Sequence, residues 1–274
     1  MTSPILVTGG TGTLGVHVVP QLRHAGHPVR VLSRSNRSGE GIEYVTGDLS
    51  KGEGIARAVE GVATILHLAG GPKGDDEATR NLVTAAKQAH VENLVYISVI
   101  GADAVPVAWL RSKHAAEQAV EQSGIPSTIL RAAQFHDLVV TVLEKMTKMP
   151  VIPIPGGLRF EPVDSRDVAD RLVELTLGEP SGRVPDLAGQ RVYGMKELVR
   201  GYLEAAGKHR LTMPVRMPGK AGASYRNGAN LGGREAQRGE RTWESFLSER
   251  LRNPDRITAA ARLDSASVKA RPAR

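Results

Sequence analysis

The 274-residue sequence contains no cysteine, and only 4% of its residues are aromatic. Without cysteine the chain forms no disulfide bond and offers neither a thiol nucleophile nor a thiolate ligand, and we predict no metal site. Because large aromatic side chains are rare, the core must be built mainly from valine, leucine, isoleucine and alanine. The length suits one domain with a sizeable core, or a core and a small lobe.

The sequence also lacks a long apolar segment. No stretch approaches the roughly 20 apolar residues that a membrane-spanning helix requires. The N-terminal residues lead directly into a predicted strand, rather than into a charged and then apolar leader. We therefore expect a cytoplasmic protein that has no membrane partner.

Positive charge is in excess only in the C-terminal quarter. The formal net charge is +7, yet 15 of the 36 Lys and Arg residues and six of the 29 Asp and Glu residues lie from Lys208 onward, which leaves −2 for the preceding residues. A basic segment can contact nucleic acid, but no recognition motif or interleaved aromatic residue accompanies this charge. We expect no nucleic-acid partner and interpret residues 252–274 as a disordered basic tail.

Three regularly spaced glycines follow the first apolar run. The run Ile5–Thr8 leads into Gly9, Gly12 and Gly15, after which an apolar helical pattern begins. This arrangement predicts a strand, a phosphate-binding turn and a helix: Gly9 for the tight turn, Gly12 for close approach of the main chain to a pyrophosphate, and Gly15 for helix–strand packing. The N–H groups of the first helical turn favour a bound phosphate. The alternative is a tight loop without a ligand.

The second predicted strand indicates which dinucleotide the turn holds. It ends at Arg34, and Arg37 follows closely. In dinucleotide-binding folds an acid at this strand end selects NAD, whereas an arginine accommodates the 2′-phosphate of NADP. We therefore predict a preference for NADP(H), with NAD(H) as the second possibility. A solvent-facing loop arginine is the alternative interpretation of Arg34.

Asp48 follows the third predicted strand, where it can bond the edge of an adenine, with an apolar neighbour, Leu49, as cover. Asp48 can also be the N-cap of the helix predicted from Ile55 onward. His67 lies within an apolar strand, and we interpret it as a packed residue rather than a catalytic one.

Predicted strands alternate with predicted helices as far as residue 155, which indicates an α/β fold, a doubly wound parallel sheet of Rossmann type. Ligands of such sheets bind outside the carboxyl ends of the strands. Several candidate residues fall at such ends: Arg34, Asp48, Ala69, Gly70, Ser98 and Arg131. We assign residues 1–155 to the nucleotide-binding core and residues 156–251, where the alternation weakens, to a small C-terminal substrate lobe interleaved with it.

The chain resembles the atypical short-chain dehydrogenases/reductases of the NmrA-like group, including members similar to NADPH:quinone oxidoreductases. The resemblance covers roughly residues 4–251 and rests on the Gly9, Gly12 and Gly15 spacing together with further blocks. These blocks are Leu94–Ala102, Lys113–Glu117, Leu130–Phe135, Val163–Ala169 and Arg241–Leu247, the last two similar to a bacterial, actinobacterial-type branch.

The resemblance implies NADP(H) bound along one cleft. The implied contacts are Thr11, Gly12, Thr13, Leu14, Arg34, Asp48, Leu49, Leu68, Ala69 and Gly70, with the backbone of Ala132, Ala133 and Gln134 beside the nicotinamide amide. It further implies that Ser98 and Lys113 lie near the nicotinamide as catalytic residues. We add Trp109, Gln134, Phe135 and His136 as candidates for the substrate pocket.

One position departs from the family pattern. Active short-chain dehydrogenases carry a tyrosine four residues before the lysine, and this sequence has Trp109 there. An indole N–H cannot exchange a proton with a substrate near neutral pH. Lys113 can still bond the nicotinamide ribose, or it can be an exposed helix lysine.

Two functions fit this departure. The first is an NADPH-dependent oxidoreductase that reduces a small planar acceptor such as a quinone, with Trp109 as a stacking wall and positioning as the main contribution to catalysis. The second is an NmrA-like redox sensor that binds NADP(H) and a protein partner without catalysis. A nucleotide-sugar or isoprenoid-like reductase or epimerase is disfavoured, because handling the alcohol proton in these reactions needs the missing tyrosine.

Overall fold

The structure, a computed structural model, describes residues 3–252. The predicted tail at 252–274 therefore falls outside the described residues except for its first residue. The main sheet contains nine strands, which are β1 (Ile5–Thr8), β2 (Val29–Ser33), β3 (Ile42–Thr46), β4 (Thr64–His67), β5 (Asn93–Val99), β6 (Ser127–Ala132), β9 (Gly182–Arg183), β10 (Leu187–Ala188) and β13 (Gln237–Arg238).

The remaining elements surround this sheet or form a smaller assembly beside it. The helices are α1 (Gly15–His24), α2 (Ile55–Val59), α3 (Asp75–Gln88), α4 (Ala108–Gln122), α5 (His136–Met146), α6 (Ser165–Leu177), α7 (Met195–Ala205), α8 (Gly219–Arg226) and α9 (Trp243–Arg252). The other strands are β7 (Val151–Pro155), β8 (Arg159–Phe160), β11 (Tyr193–Gly194) and β12 (Leu211–Val215).

The strand order of the main sheet is β13-β10-β6-β5-β4-β1-β2-β3, with β9 paired to β6, and every recorded pairing in it is parallel. From β1 the chain first adds β2 and β3 on one side and then returns to add β4, β5 and β6 on the other side. Strands β1 and β4 are therefore neighbours in the middle of the sheet. The order 3-2-1-4-5-6 of the first six strands is that of a dinucleotide-binding sheet, and its switch point lies between β1 and β4. The predicted Rossmann-type fold is confirmed.

Helices cover both faces of the sheet, and alternate residues of each strand point to opposite faces. On one face Ile5 and Val7 pack against α1 and α6, and on the other Leu6 packs against α2, α3 and α4. Continuous apolar strands such as Ile5–Thr8 are therefore required, and they give the sequence its strongest fold signal.

Helix α6 begins at Ser165. Asp164 is its N-cap, and its carboxylate accepts a hydrogen bond from the backbone N–H of Arg166. The packing of α6 against α1 shows that this part of the C-terminal half completes the core of the sheet.

A third apolar cluster forms the core of the smaller assembly. It joins α5, β7, α7 and α9, and it buries Trp243, Phe246 and Leu247, which lie on one face of α9. Val140 and Ile152, which precede residue 155, belong to this cluster too. The pairing of β12 with β7, and helix α8, were not predicted from the sequence.

Candidate functional site

A cleft of about 600 Å³ lies at the carboxyl ends of the central strands. It collects most of the predicted site residues, namely Gly9, Thr11, Gly12, Thr13, Leu14, Arg34, Asp48, Leu49, Leu68, Ala69, Gly70, Ser98, Trp109, Lys113, Ala132, Ala133, Gln134 and Phe135. All residues that line it fall between positions 8 and 138. Within the described residues, segment 156–251, the expected substrate lobe, therefore contributes none of the cleft's wall.

The glycine turn forms the floor of the cleft. Gly9 has a φ of +68°, and a Cβ atom there would lie 2.7 Å from the backbone nitrogen of Ala69. The backbone N–H of Gly12 donates to the carbonyl of Gly9 across 2.9 Å and closes the turn. Gly15 begins α1, and a Cβ atom on it would come within 2.3 Å of the Gly10 backbone. Gly15 therefore serves helix packing, and it does not line the cleft.

The end of the cleft formed by β2 and β3 carries Arg34 and Asp48. Arg34 is exposed at the end of β2, beside Ser33. Asp48 does not cap α2, because Gly54 occupies the N-cap position with a φ of 70° and the Asp48 carboxylate instead accepts the backbone N–H of Ser50 at 2.9 Å. The N-cap interpretation of Asp48 is therefore wrong, and the bond to Ser50 shapes its loop.

A buried chain of hydrogen bonds lies beneath the glycine turn. Thr8 Oγ1 lies 2.6 Å from His67 Nδ1, and His67 Nε2 lies 3.0 Å from Thr79 Oγ1. The hydroxyl of Thr79 donates to the carbonyl of Asp75, and Thr8 Oγ1 accepts the backbone N–H of Ala69. Burial, reinforced by the charge of a nearby lysine, lowers the pKa of His67 to about 3. His67 is thus a packed, neutral residue, as predicted.

Lys113, on α4, lines the cleft and is almost completely buried, with 8% of its surface exposed. Its ammonium Nζ lies 3.1 Å from Asp75 Oδ2 and 3.4 Å from the hydroxyl of Tyr96. The interpretation of Lys113 as an exposed helix lysine is therefore wrong. Asp75 was missed by the sequence reasoning, because it stands 38 positions before Lys113 and looks like an ordinary acid in the first turn of a helix.

Tyr96 does not replace the missing tyrosine. Its side chain is fully buried in β5, stacks on the ring of His67 and does not line the cleft. Burial, with Asp75 and Glu117 nearby, raises its pKa well above 10, so it does not ionise near neutral pH.

Trp109, Phe135 and Leu138 give the cleft an apolar wall beside Lys113. Trp109 lies on α4 one helical turn before Lys113, so both side chains face the same side of that helix. Leu138 is 49% exposed and was not predicted as a site residue. A planar apolar ligand fits a wall of this composition.

Ser98 and Gln134 are the polar residues at the ends of β5 and shortly after β6. Ser98 is buried and lines the cleft. Gln134 Oε1 is buried and has no hydrogen-bond partner within the described residues. Because a buried polar atom costs free energy when it is unpaired, Gln134 fits a ligand that supplies a donor, such as a carboxamide.

Besides Gly15, the predicted residues His136 and Arg37 lie outside the cleft. His136 begins α5 and is 1% exposed; its ring packs against Trp243 and Phe246, and its Nε2 atom faces the carbonyl of Pro162 at 3.1 Å. The assignment of His136 to the substrate pocket is therefore corrected. Arg37 is half-buried and is not among the lining residues.

Arg131 is also turned away from the cleft, although it stands at a strand end. Its guanidinium holds Glu117 through contacts of 2.8 and 2.7 Å and reaches Asp103 at 3.0 Å. Glu117 is fully buried and also binds Arg183 at 2.9 Å. Burial alone would raise the pKa of Glu117, but the hydrogen bonds and charge of Arg131 outweigh it and lower that pKa to about 2. This cluster ties α4 to the sheet.

The cleft fits a nicotinamide dinucleotide on chemical grounds. The Gly9 turn approaches the main chain at Ala69 so closely that no side chain fits at position 9, and the N-terminus of α1 opens onto the cleft beside it. Gln134 offers an unpaired acceptor, and Lys113 a cation, further along the cleft.

No cluster of His, Cys, Asp or Glu that could hold a metal ion occurs within residues 3–252. Over the same range, no helix is long and apolar enough to cross a membrane.

The family profile described as NAD(P)H-binding matches residues 9–177. The (4-alkanoyl-5-oxo-2,5-dihydrofuran-3-yl)methyl phosphate reductase of Streptomyces griseus is 31% identical over 200 residues, which are 70% of this chain and 70% of that protein. The photosystem II assembly factor Ycf39 of Trieres chinensis is 27% identical over 221 residues, which are 74% of this chain and 69% of the relative.

Among solved structures, the NADPH-dependent quinone oxidoreductase QOR2 of Escherichia coli, complexed with NADPH, has a TM-score of 0.77 at 18% identity, over 89% of this chain and 99% of that chain. At this identity the likeness concerns the fold alone. The profile spans the glycine turn, the predicted strand ends and the lysine helix, and it supports the predicted resemblance at the level of the family. The chain belongs to the family of NAD(P)H-binding proteins.

Proposed function

We propose that this protein is an NADPH-dependent oxidoreductase that reduces a small planar acceptor such as a quinone. The observation that carries the proposal is the position of Trp109 on the cleft wall, one turn before Lys113. Among the described residues that line the cleft there is no tyrosine, histidine or cysteine. The site therefore suits acceptors whose reduced form is a stabilised anion, because these need no strong proton donor during hydride transfer.

Each wall residue has a definite role in this proposal. When bound, NADPH supplies a hydride, and with one proton from water the acceptor becomes a hydroquinone while the cofactor becomes NADP⁺. Trp109 and Phe135 hold the ring of the acceptor. The ammonium of Lys113 bonds the nicotinamide ribose, and its positive charge stabilises the negative charge that forms on the acceptor oxygen. Ser98 and Gln134 orient the polar edge of the nicotinamide ring.

The preference for NADPH over NADH depends on Arg34. Its exposed guanidinium stands at the end of β2, where a 2′-phosphate would lie, and it needs no rearrangement of buried contacts to bind one. The proposal also includes a cytoplasmic location, where NADPH is available.

The direct test measures NADPH oxidation at 340 nm with a panel of quinones, using the intact chain. The expected result is turnover with at least one quinone, and a KM for the quinone that rises about tenfold in Trp109→Ala, since removing one stacked aromatic wall costs on the order of 1 kcal/mol or more. Arg111→Ala, a change at an exposed position of the same helix, is the control and should leave both the turnover rate and the KM for the quinone unchanged.

Tight NADPH binding without turnover on any acceptor would contradict the enzyme proposal. An unchanged KM in Trp109→Ala would contradict the assigned wall and leave the acceptor to bind elsewhere.

A second candidate function is a redox sensor that binds a protein partner. Two observations favour it: the tyrosine position is occupied by Trp109, and one relative is named as a photosystem II assembly factor. A sensor must interact differently with the two cofactor forms, since a ligand shifts an equilibrium only by its differential affinity. Hydrogen exchange compared between the NADP⁺ and NADPH complexes tests this requirement. Identical exchange outside the cleft would contradict the sensor.

A further inference from the structure

We infer that Asp75 is a positioning residue of the site: it fixes the Lys113 ammonium against the Gly70–Gly71 segment and so directs the remaining N–H of that ammonium into the cleft. Asp75 was not among the residues that the sequence pointed to. The inference rests on the proposed function, because it takes Lys113 to act on a nicotinamide dinucleotide bound in the cleft.

The two carboxylate oxygens of Asp75 have separate partners. Oδ1 accepts the backbone N–H of Gly71 at 2.7 Å, and Oδ2 lies 3.1 Å from Nζ of Lys113. Asp75 is 5% exposed and lines the cleft, as Gly71 and Lys113 do. One side chain therefore joins the loop after β4 to helix α4.

This arrangement differs from the usual role of an acid at the start of a helix. Asp76, the next residue, binds the hydroxyl of Ser112 and the guanidinium of Arg80, and its side chain is 31% exposed. Asp76 thus joins α3 to α4 at the surface. Asp75 makes neither of these contacts, and its bonds point to the loop and to the cleft lysine.

Lys113 depends on Asp75 for charge compensation. A buried ammonium needs an anion nearby, and Glu117, one turn further along α4, is already committed to Arg131 and Arg183. Tyr96 supplies a hydroxyl at 3.4 Å. One N–H group of Lys113 donates to Tyr96, and the ammonium forms an ion pair with Asp75 Oδ2 at 3.1 Å. Within the described residues at least one of its three N–H groups is therefore left for a group in the cleft.

The loop packs directly on this ion pair. A Cβ atom on Gly70 would lie 2.9 Å from Nζ of Lys113 and 3.3 Å from Oδ2 of Asp75. A movement of Asp75 would therefore change both the position of the lysine and the path of the main chain at the predicted nicotinamide end. This contact is the route by which Asp75 affects a bound cofactor.

The test is a double-mutant cycle read as the NADPH dissociation constant from fluorescence titration. It compares the intact chain with Asp75→Asn, Lys113→Gln and the double variant. Asparagine retains an oxygen for Gly71 and removes the charge. We expect each single variant to bind NADPH about tenfold more weakly, and the double variant to bind no more weakly than Lys113→Gln alone, since contacting residues couple. Asp76→Asn, the matched control, should stay within about twofold of wild type.

Additive losses, about a hundredfold in the double variant, would overturn the inference, as would unchanged affinity in Asp75→Asn or in Lys113→Gln. If Asp75→Asn alone fails to fold, the double variant, which removes both buried charges, is compared with Lys113→Gln: equal affinity supports the inference and a tenfold weaker affinity overturns it. Because NADPH affinity is measured without turnover, a failure of quinone reduction would reject the proposed enzyme separately.

Discussion

Oγ1 of Thr8 lies 2.6 Å from Nδ1 of His67, and this contact joins the ends of the two strands between which the sheet reverses its order. Since Thr79 uses its own hydroxyl proton on the carbonyl of Asp75, it accepts the proton of His67 Nε2. Nδ1 is then the acceptor for Thr8, and Thr8 in turn accepts the N–H of Ala69. Every hydrogen bond in this series is formed only when His67 is neutral.

This relationship predicts acid sensitivity. The pKa of His67 is lowered from 6.5 to about 3, mainly by burial. Below pH 6.5 the unfolded chain binds a proton that the folded chain does not, so stability is complete above about 6.5 and falls as the pH drops to about 3. Over that window the free energy of unfolding falls by roughly 4–5 kcal/mol, at 1.36 kcal/mol per pKa unit. Urea unfolding at a series of pH values measures it.

His67→Gln isolates the contribution of this histidine, because its amide can bond Thr79 without titrating. We expect its unfolding free energy to depend less on pH between 6.5 and 3 than that of wild type. His90→Gln, at an exposed site, is the control and should follow the wild-type curve. Parallel curves for wild type and His67→Gln would show that His67 is not the acid-sensitive group.

Gly12 and Gly15 should respond differently to alanine. A Cβ atom on Gly15 would overlap the Gly10 backbone at 2.3 Å, whereas one on Gly12 would meet only the Gly9 carbonyl at 3.3 Å. Gly15→Ala should therefore lose about 3 kcal/mol or more of unfolding free energy, as overpacked sites do. Gly12→Ala should keep nearly wild-type stability and lose NADPH affinity by about tenfold or more.

Thermal unfolding and fluorescence titration, made on both variants, separate these effects. If Gly12→Ala binds NADPH as tightly as wild type, the pyrophosphate does not approach this part of the turn. Should Gly15→Ala prove as stable as wild type, the helix would have to shift along the strand.

Reversing the charge of Arg34 should reverse the cofactor preference. Arg34→Asp removes the partner of a 2′-phosphate and supplies an acceptor for a 2′-hydroxyl. We expect NADPH binding to weaken about tenfold or more, and NADH binding to stay equal or improve. Arg57→Asp, an exposed change on α2, controls for net charge. Equal weakening of both nucleotides in Arg34→Asp would contradict a role in reading the 2′ position.

Trp109→Tyr should create carbonyl reduction. It places a phenol one turn before the Lys113 ammonium, which is the pairing that a proton donor requires. The measurement is NADPH oxidation with an activated dicarbonyl compound, and Trp109→Phe, which lacks only the hydroxyl, is the matched comparison. We expect the tyrosine variant to be faster by about 100-fold. Equal rates in the two variants would show that other parts of the site are incomplete.

Much of the fold was predictable because its signals are local. A few consecutive residues are enough to recognise the run Ile5–Thr8, the glycines that follow it and the strand that ends at Arg34. The pairing of β12 with β7 gave no such signal, because Leu211 and Met213 are exposed and the strand has no buried face to impose an alternating pattern.

Side-chain direction was the part of the site that could not be predicted. Arg131 stands at a strand end, yet a buried carboxylate on another element draws it away. His136 follows cleft residues directly, but it begins a helix whose first turn faces the Trp243 cluster. The Asp75–Lys113 contact joins two helices that are distant in sequence. Each depends on tertiary packing rather than on local pattern.

The ion cluster at Glu117 determines how the cleft can adapt to its ligand. Glu117 fastens α4 to β6 and β9 through Arg131 and Arg183, one turn beyond Lys113 and two turns beyond Trp109. At 1.5 Å per residue these side chains stand about 6 and 12 Å from the fastened turn. Ser112 and Lys113 are also held, by Asp76 and Asp75, so these contacts lie at or after residue 112 and Trp109 precedes them. Under the proposed function, the acceptor wall at Trp109 can therefore adjust while the ammonium that faces the cofactor stays fixed.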